Sequence, residues 1–206
     1  IEAGKRGRKV LLLDAAKKVG EKIRISGGGR CNFTNLYATH ANYLSQNPHF
    51  CKSALGRYSQ RDFIALVKKH HISYHEKTLG QLFCDGSSQQ IIDMLVAECE
   101  QNGGEIAVST SVSAISKQDE KFLLALSNGS AVQAESVVIA TGGPSIPKMG
   151  ATGWGYEIAK QFGIKVIEPT AALVPFTLDE AMLEQLKPLA GVAVDAEVAC
   201  GKTRFK

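Results

Sequence analysis

The chain has 206 residues, of which 44% are hydrophobic, enough to bury a substantial core in one domain or slightly more. Its net charge is +4, and the basic residues are dispersed except for the run 5–9. That run lacks interleaved aromatic residues, so it favours a solvated helix end over the alternative of a nucleic-acid patch. No apolar run approaches the ~20 residues that span a bilayer. Five cysteines without a C-x-x-C pair argue against a disulfide framework or a zinc site. We therefore expect a cytoplasmic protein with no nucleic-acid partner, membrane partner or metal.

The first predicted strand is Lys9–Asp14, a continuous apolar run that ends in an acid, as in a parallel strand buried on both faces. Residues 1–6 are typical of the end of a helix, and Gly7 separates this helix from the strand. Helix, glycine, buried strand and terminal acid form the second half of a dinucleotide-binding βαβ unit, in which the acid binds a ribose hydroxyl. Asp14 is that acid, with a strand-end cap as the alternative. The first half of the unit, with its G-x-G-x-x-G turn, would lie upstream of residue 1, so we expect a fragment.

A predicted loop over residues 15–35 contains the run Ser26-Gly27-Gly28-Gly29-Arg30-Cys31-Asn32. Three consecutive glycines allow positive φ and close approach of a ligand to the backbone, and successive amides in such a turn can converge on an anion. Arg30 adds a planar, permanently charged donor fork suited to phosphate. The alternative is an ordinary surface loop without a ligand.

The remaining pattern alternates helices and strands. Helices are predicted over 51–70, 88–102, 153–162 and 179–187, and strands over 72–75, 81–84, 105–108, 111–115, 136–140 and 189–198. Asn128-Gly129 predicts a hairpin between strands 122–126 and 131–134. The apolar strand 136–140 runs directly into Thr141-Gly142-Gly143. An apolar run at 173–176 is interrupted by a proline, and the change of sequence pattern after Pro169 predicts a domain boundary.

Three histidines near the first long helix raise the possibility of a metal site. They are His70, His71 and His75. The predicted helix end near His71 breaks the i, i+4 spacing that would place two ligands on one face. We therefore favour ordinary histidines at a helix end.

Two long signatures resemble those of the BaiN-like or aminoacetone-oxidase-like NAD(P)/FAD-dependent oxidoreductases of bacteria. The first is Gly20-x-Lys22-Ile23-x-x-Ser26-Gly27-Gly28-Gly29-Arg30-Cys31-Asn32-x-Thr34-Asn35. The second is Ala140-Thr141-Gly142-Gly143-x-Ser145-x-Pro147-x-x-Gly150-Ala151-Thr152. The resemblance implies an α/β fold, namely a Rossmann-like FAD-binding domain of the glutathione-reductase type with a central parallel sheet and a β-hairpin or meander layer. It places this domain at 1–168 and the truncated opening of an inserted, mostly β domain at 169–206.

The resemblance also implies which residues contact FAD. Asp14 would bind the ribose, Ser26–Asn32 would surround the pyrophosphate and flank the isoalloxazine, and the backbone of Val112 would meet the adenine. Thr141 and Gly142-Gly143 would close over the cofactor. The full implied set is Asp14, Lys18, Ser26, Gly27, Gly28, Gly29, Arg30, Cys31, Asn32, Val112, Ala140, Thr141, Gly142 and Gly143.

The function expected from this resemblance is hydride or electron transfer through FAD, with NAD(P)H or a small organic substrate as donor. The flavin carries the redox chemistry in such enzymes, and the protein orients it. Cys31 is a candidate catalytic thiol, with a small buried side chain as the favoured alternative. No catalytic acid or base is assigned, and we expect the fragment alone to be inactive. The alternative function is a non-catalytic dinucleotide-binding module, a sensor or scaffold. The sequence says nothing of the oligomeric state.

Overall fold

The structure, a computed structural model, describes residues 1–145, 150, 152–171, 177–192 and 194–205. Part of the second signature, at 146–149 and 151, and the apolar run at 173–176 lie outside the described residues. The chain divides into two compact units, Ile1–Ile164 and Lys165–Lys206. The first unit contains both glycine-rich turns.

The first unit is an α/β assembly, as expected. Its helices are α1 (Glu2–Lys5), α2 (Glu21–Ile25), α3 (Lys52–Arg57), α4 (Gln60–Lys69), α5 (Gln89–Gln101) and α6 (Trp154–Gln161). Its strands are β1 (Val10–Leu13), β2 (Asn32–Asn35), β3 (Tyr74–Glu76), β4 (Gln81–Cys84), β5 (Gly104–Ala107), β6 (Val112–Gln118), β7 (Lys121–Leu126) and β8 (Ala131–Ala134). The strands form a parallel pair β1–β5, an antiparallel sheet β2–β4–β3 and an antiparallel meander β6–β7–β8.

Two hydrophobic clusters hold this unit together. The first lies between α4, α5 and the β2–β4–β3 sheet, and its buried residues are Cys31, Val67, Ile72, Cys84, Ile91 and Met94. The second joins the meander to α6, and its buried residues are Ile115, Leu124, Leu126 and Ile158. Leu13 of β1 and Val137 pack against the second cluster. The hairpin predicted from Asn128-Gly129 is confirmed, with β7 paired to β8 from Phe122↔Ala134 to Ala125↔Ala131.

The predicted loop at 15–35 is wrong in part, because it contains α2, a 3₁₀ turn at Ser26–Gly29 and β2. Helix α2 has five residues, too few to show a helical hydrophobic period. Strand β2 exists through its antiparallel pairing with β4, from Asn32↔Phe83 to Asn35↔Gln81. Long-range pairing of this kind leaves little trace in a four-residue sequence.

The single helix predicted over 51–70 is two helices, α3 and α4. The break lies at Tyr58 and Ser59, both of which have extended backbone conformations. Ser59 starts α4 through a capping box, since its backbone N–H and its hydroxyl each contact Asp62 Oδ2 at 2.7 Å. Such a box begins a new helix.

The predicted strand at 136–140 is not formed, although the segment is apolar. It has no ladder partner among the described residues, and Val138 is 87% exposed. An extended segment becomes a strand only when another backbone satisfies its N–H and C=O groups. The central parallel sheet therefore comprises β1 and β5 within the described part of the chain.

The second unit contains α7 (Glu180–Leu186), a 3₁₀ turn at Lys187–Leu189, and the hairpin β9 (Val198–Cys200) and β10 (Thr203–Phe205). The predicted strand at 189–198 is wrong, since pairing begins at Val198. Asp179 caps α7 by accepting the Met182 N–H at 2.9 Å. Across the described residues of both units, no helix combines the length and apolarity that a membrane crossing needs.

Candidate functional site

The glycine run forms a left-handed turn. Gly27, Gly28 and Gly29 have φ of 58°, 66° and 85°, values that cost glycine nothing and other residues about 1–2 kcal/mol each. A β-carbon on Gly27 would lie 2.7 Å from the Phe83 ring and 2.8 Å from the Asn32 nitrogen. On Gly28 or Gly29 it would meet no described atom within 4 Å. Gly27 therefore faces the protein, whereas Gly28 and Gly29 present bare backbone to an open side.

Backbone hydrogen bonds fix this turn to the rest of the unit. The Ser88 N–H donates to the Gly29 oxygen at 2.7 Å, and the Cys84 N–H donates to the Arg30 oxygen at 3.0 Å. The Ser88 hydroxyl donates to the Arg24 oxygen at 2.9 Å. The turn is thus held against the end of β4 and the start of α5.

The two signatures meet in space. The ammonium of Lys22, on α2, donates to the hydroxyl of Ser145, which follows the second glycine turn by two residues. The second turn also lies against α6, since a β-carbon on Gly143 would be 3.1 Å from the Tyr156 hydroxyl and one on Gly155 would be 3.1 Å from Thr141 Oγ1. Two segments far apart in sequence therefore flank one region.

Asp14 lies directly after β1, and its carboxylate takes part in capping. Its Oδ1 accepts the Ala16 N–H at 2.9 Å, while its backbone pairs with Ala107 and Thr110 at 2.9 Å. The strand-end cap is therefore present, and it uses one carboxylate oxygen. Lys18, four residues further on, is exposed.

The other residues predicted to contact the cofactor lie at strand ends or in exposed segments. Val112 begins β6 and packs against the second cluster. Ala140, Thr141 and Gly142 are exposed, and Gly142 has φ of 74°. Arg30 is also exposed, so its guanidinium can reach a bound anion.

Cys31 is buried in the first hydrophobic cluster with 4% of its surface exposed. Burial, followed by the charge of Cys31, raises the pKa of the neighbouring Cys84 thiol to about 11. The Cys84 thiol therefore stays protonated and inert. For Cys31, burial in the hydrophobic cluster favours packing over catalysis.

Two of the three histidines of the metal hypothesis contact carboxylates, in separate places. His70 contacts Glu98 Oε1 at 2.7 Å, and His75 contacts Asp85 Oδ1 at 2.7 Å. In the described ranges, no group of three or more acid, cysteine or histidine side chains has metal-binding geometry.

The charged residues are distributed unevenly along the chain, and the sequence prediction missed this signal. Residues 22–61 contain no Asp or Glu, yet they contain six Lys or Arg, whereas the whole chain has a net charge of +4. The remainder of the chain is therefore slightly acidic. The glycine turn lies inside this acid-free stretch of the sequence.

The chain is similar to two enzymes named ribosomal RNA dihydrouridine synthase. It is 58% identical to that of Escherichia coli (strain K12), over 95% of this chain and 49% of that protein. It is 49% identical to that of Haemophilus influenzae (strain ATCC 51907 / DSM 11121 / KW20 / Rd), over 99% of this chain and 52% of that protein. The chain spans about half the length of the curated relatives it matches.

These names overturn one expectation. Both relatives are named for a reaction on ribosomal RNA, so the prediction of a small-molecule substrate without a nucleic-acid partner is wrong. A more distant relative, the 3-dehydro-bile acid delta(4,6)-reductase of Clostridium scindens (strain ATCC 35704 / DSM 5676 / VPI 13733 / 19), is 25% identical over 92% of this chain and 46% of that protein. The relatives are thus named as enzymes, and the one named for a small molecule is the less similar.

Solved structures with a similar arrangement include the halogenase PltM in complex with phloroglucinol and FAD, at a TM-score of 0.41 and 20% identity over 80% of this chain and 33% of that one. FqzB has a TM-score of 0.36 and 17% identity over 72% of this chain and 34% of that one. Residues 1–198 match the HI0933-like protein Rossmann domain, which confirms the Rossmann-like fold class, and the chain belongs to that family.

Proposed function

We propose that the protein is a flavin-dependent enzyme that reduces uridine in ribosomal RNA to dihydrouridine, and that this chain forms part of its FAD site. The observation that carries the proposal is the 58% identity to a ribosomal RNA dihydrouridine synthase over 95% of the chain. The lower similarity to a bile-acid reductase supports the same kind of chemistry, reduction of a carbon–carbon double bond. A cytoplasmic location follows from this substrate and is part of the proposal.

The residues present fit a bound dinucleotide. Gly28 and Gly29 offer backbone that a β-carbon would cover and that no described side chain occupies. Exposed Arg30 supplies a positive charge beside them. Asp14 uses one carboxylate oxygen for the Ala16 N–H, which leaves the other to accept a ribose hydroxyl. We assign the pyrophosphate to the glycine turn and the ribose to Asp14.

The remaining cofactor contacts follow from the same placement. The second turn, Thr141–Gly143, would cover the cofactor, because Lys22 ties its neighbour Ser145 to the helix that precedes the first turn. Val112 would meet the adenine, and Lys18 would lie near the phosphates. The division into a domain at 1–168 and an inserted domain at 169–206 remains a proposal of the same kind.

The reaction adds two hydrogen atoms across the C5=C6 bond of uracil, one as hydride and one as proton. When bound, FAD would supply the hydride, and a reduced nicotinamide would return the electrons. The chain's own contribution is to orient the cofactor and to place positive charge where the RNA backbone approaches. The finer resemblance to BaiN-like flavoproteins agrees with a nicotinamide as reductant.

The direct test incubates the intact protein with ribosomal RNA that lacks dihydrouridine and with NADH or NADPH, followed by nucleoside mass spectrometry. We expect dihydrouridine to form with the reductant and to be absent when the flavin has been stripped. No dihydrouridine, together with reduction of a small conjugated enone, would identify the protein as a small-molecule reductase instead. A yellow protein whose flavin no nicotinamide bleaches, and which leaves RNA unchanged, would be a sensor or scaffold.

A further inference from the structure

The segment 37–58, inside the acid-free stretch, forms a surface that neither cofactor binding nor the hydrophobic cores use. Every residue from 39 to 50 is exposed, which is unusual for a segment rich in aromatic side chains. Tyr37 is 67% exposed, Tyr43 52% and Phe50 82%. We propose that the 37–58 segment is an RNA-docking surface, on which unpaired bases stack against Tyr43 and Phe50 while Lys52 and Arg57 contact phosphates. This inference rests on the proposed function, because it names the surface that holds the RNA substrate.

Exposed aromatic rings beside cations are what single-stranded RNA recognition requires. Each base can stack on an aromatic ring, and a positive groove follows the backbone. Lys52 and Arg57 are exposed on α3, and the 37–58 segment itself contains no carboxylate to repel a phosphate. The carboxylates that act on the segment do so at its end, on Tyr58. Acidic residues on a surface repel RNA phosphates, but they do not prevent the binding of another protein. The lack of acidic residues in this segment therefore favours RNA over a protein as the partner.

A shallow cavity lies within this surface. Its volume is about 290 Å³, and its lining includes His40, Tyr43, His49 and Lys52. Small-ligand sites begin at about 300 Å³, so the cavity suits a single base rather than a dinucleotide. An aromatic ring, two imidazoles and an ammonium around one cavity can stack a base and contact its phosphate.

Local hydrogen bonds hold the segment in a defined shape. The Thr39 N–H donates to Asn42 Oδ1 at 2.8 Å, and the His49 N–H donates to Asn47 Oδ1 at 3.0 Å. The Cys51 thiol reaches the His40 oxygen at 3.8 Å. Rings presented on an ordered backbone lose little conformational freedom when they bind, which favours a specific surface.

The test measures binding of a fluorescein-labelled, mixed-sequence oligoribonucleotide to the intact protein by anisotropy, over a series of salt concentrations. Tyr43→Ala and Phe50→Ala should each weaken binding about ten-fold, because one stacked base contributes about 1–3 kcal/mol. Tyr43→Phe keeps the ring and should bind like the wild type. Lys52→Glu should weaken binding and lower the salt slope by about 0.7, the value of one phosphate contact on a single strand. Lys117→Glu, at an exposed lysine of the meander, is the matched charge control.

Flavin content and flavin bleaching by nicotinamide are measured on every variant, so a general loss of structure is detected. Weaker RNA binding with unchanged flavin supports the docking surface. Variants that bind RNA and form dihydrouridine like the wild type would overturn it and leave the proposed function intact. A wild type that binds RNA through this segment but forms no dihydrouridine would overturn the proposed function alone. Changed oligomeric state with unchanged RNA affinity would assign the surface to a protein contact and overturn the inference.

Discussion

Gly27 and Gly28 are neighbours with nearly the same left-handed backbone, yet a side chain would meet different surroundings at each. At Gly27 a methyl group would collide with the Phe83 ring and the Asn32 backbone. At Gly28 it would project into open space, where we place the pyrophosphate. The pair therefore separates the structural role of Gly27 from the binding role that we propose for Gly28.

We predict that Gly28→Ala lowers FAD affinity at least about ten-fold, while the free energy of unfolding falls only by the backbone strain of about 1–2 kcal/mol. Gly27→Ala should lower the free energy of unfolding by a further ~1–3 kcal/mol from overpacking. Flavin titration by fluorescence and urea unfolding measure the two effects.

Gly129→Ala is the control for strain. Gly129 lies in the β7–β8 turn with φ of 83°, and a β-carbon there meets no described atom within 4 Å. This variant should lose as much stability as Gly28→Ala and keep its flavin. Equal flavin affinity in Gly28→Ala and the wild type would refute the assignment of the pyrophosphate.

At single residues, the sequence predicted the kind of conformation better than the role. A run of three glycines indicates positive φ, and all three have it. Which of them faces the protein depends on Phe83, a residue on another strand that sequence spacing does not place. For Asp14 the cap is now visible, and ribose binding remains a proposal. For Cys31 the sequence favoured a small buried side chain over a catalytic thiol, and the residue is buried in the first hydrophobic cluster.

At the scale of elements, a buried carboxylate joins α4 to α5. Glu98 is 2% exposed, and its Oε1 accepts from Lys69 Nζ at 2.6 Å and contacts His70 Nε2 at 2.7 Å. These hydrogen bonds, Lys69 first and His70 second, lower the pKa of Glu98 from 4.5 to about 2. The carboxylate is therefore more acidic in the folded chain than in the unfolded one.

The free energy of unfolding should fall in acid, as Glu98 becomes protonated. Because the folded pKa is depressed, the stabilisation from Glu98 is complete above pH 4.5 and is lost as the pH falls from 4.5 towards 2. We predict that Glu98→Gln lowers the free energy of unfolding at pH 7 by about 2 kcal/mol, the value of a hydrogen bond to a charged group. The variant should also lose less stability than the wild type over that acid range.

Glu100→Gln is the matched control, since Glu100 is exposed on the same helix. It should change the free energy of unfolding by no more than about 0.5 kcal/mol. Urea unfolding at several pH values measures the free energy of unfolding of both variants and the wild type. Equal stability curves for Glu98→Gln and Glu100→Gln would show that the carboxylate is not held as described.

Elements defined by local chemistry were predictable, and those defined by distant partners were not. Asn128-Gly129 determines its own turn, so the β7–β8 hairpin follows from a few residues. The segment 136–140 has the composition of a buried strand, but no described backbone pairs with it. The break between α3 and α4 was in principle readable, because Ser59 and Asp62 have the spacing of a capping box.

For the molecule as a whole, the distribution of charge matters more than its sum. The net charge of +4 is dispersed apart from the run 5–9, and because that run lacks interleaved aromatic residues we predicted no nucleic-acid partner. The sum conceals an acid-free stretch of six cations over residues 22–61 and a slightly acidic remainder. Two relatives named for ribosomal RNA overturn the prediction of no nucleic-acid partner. The acid-free stretch is the feature of this chain that we propose would attract RNA.

The fold class was predictable because the helix, glycine, buried strand and terminal acid of residues 1–14 indicate half of a βαβ unit, and because the two glycine-rich signatures resemble those of a family with a Rossmann-like fold. The substrate was not, because one Rossmann-like fold serves many reactions and function depends on the site built upon it. A turn that binds a dinucleotide would serve a small-molecule reductase and an RNA-modifying enzyme equally well, so the glycine run by itself does not predict the substrate.

The most direct test of whether the protein reduces uridine in RNA through a bound flavin is an anaerobic single turnover by the intact protein. The flavin is bleached with one equivalent of reduced nicotinamide, excess nicotinamide is removed, and ribosomal RNA lacking dihydrouridine is added. The account predicts that the flavin absorbance returns and that one dihydrouridine forms for each flavin reoxidised. A flavin that stays bleached in the presence of this RNA, or one that reoxidises without forming dihydrouridine, would contradict it.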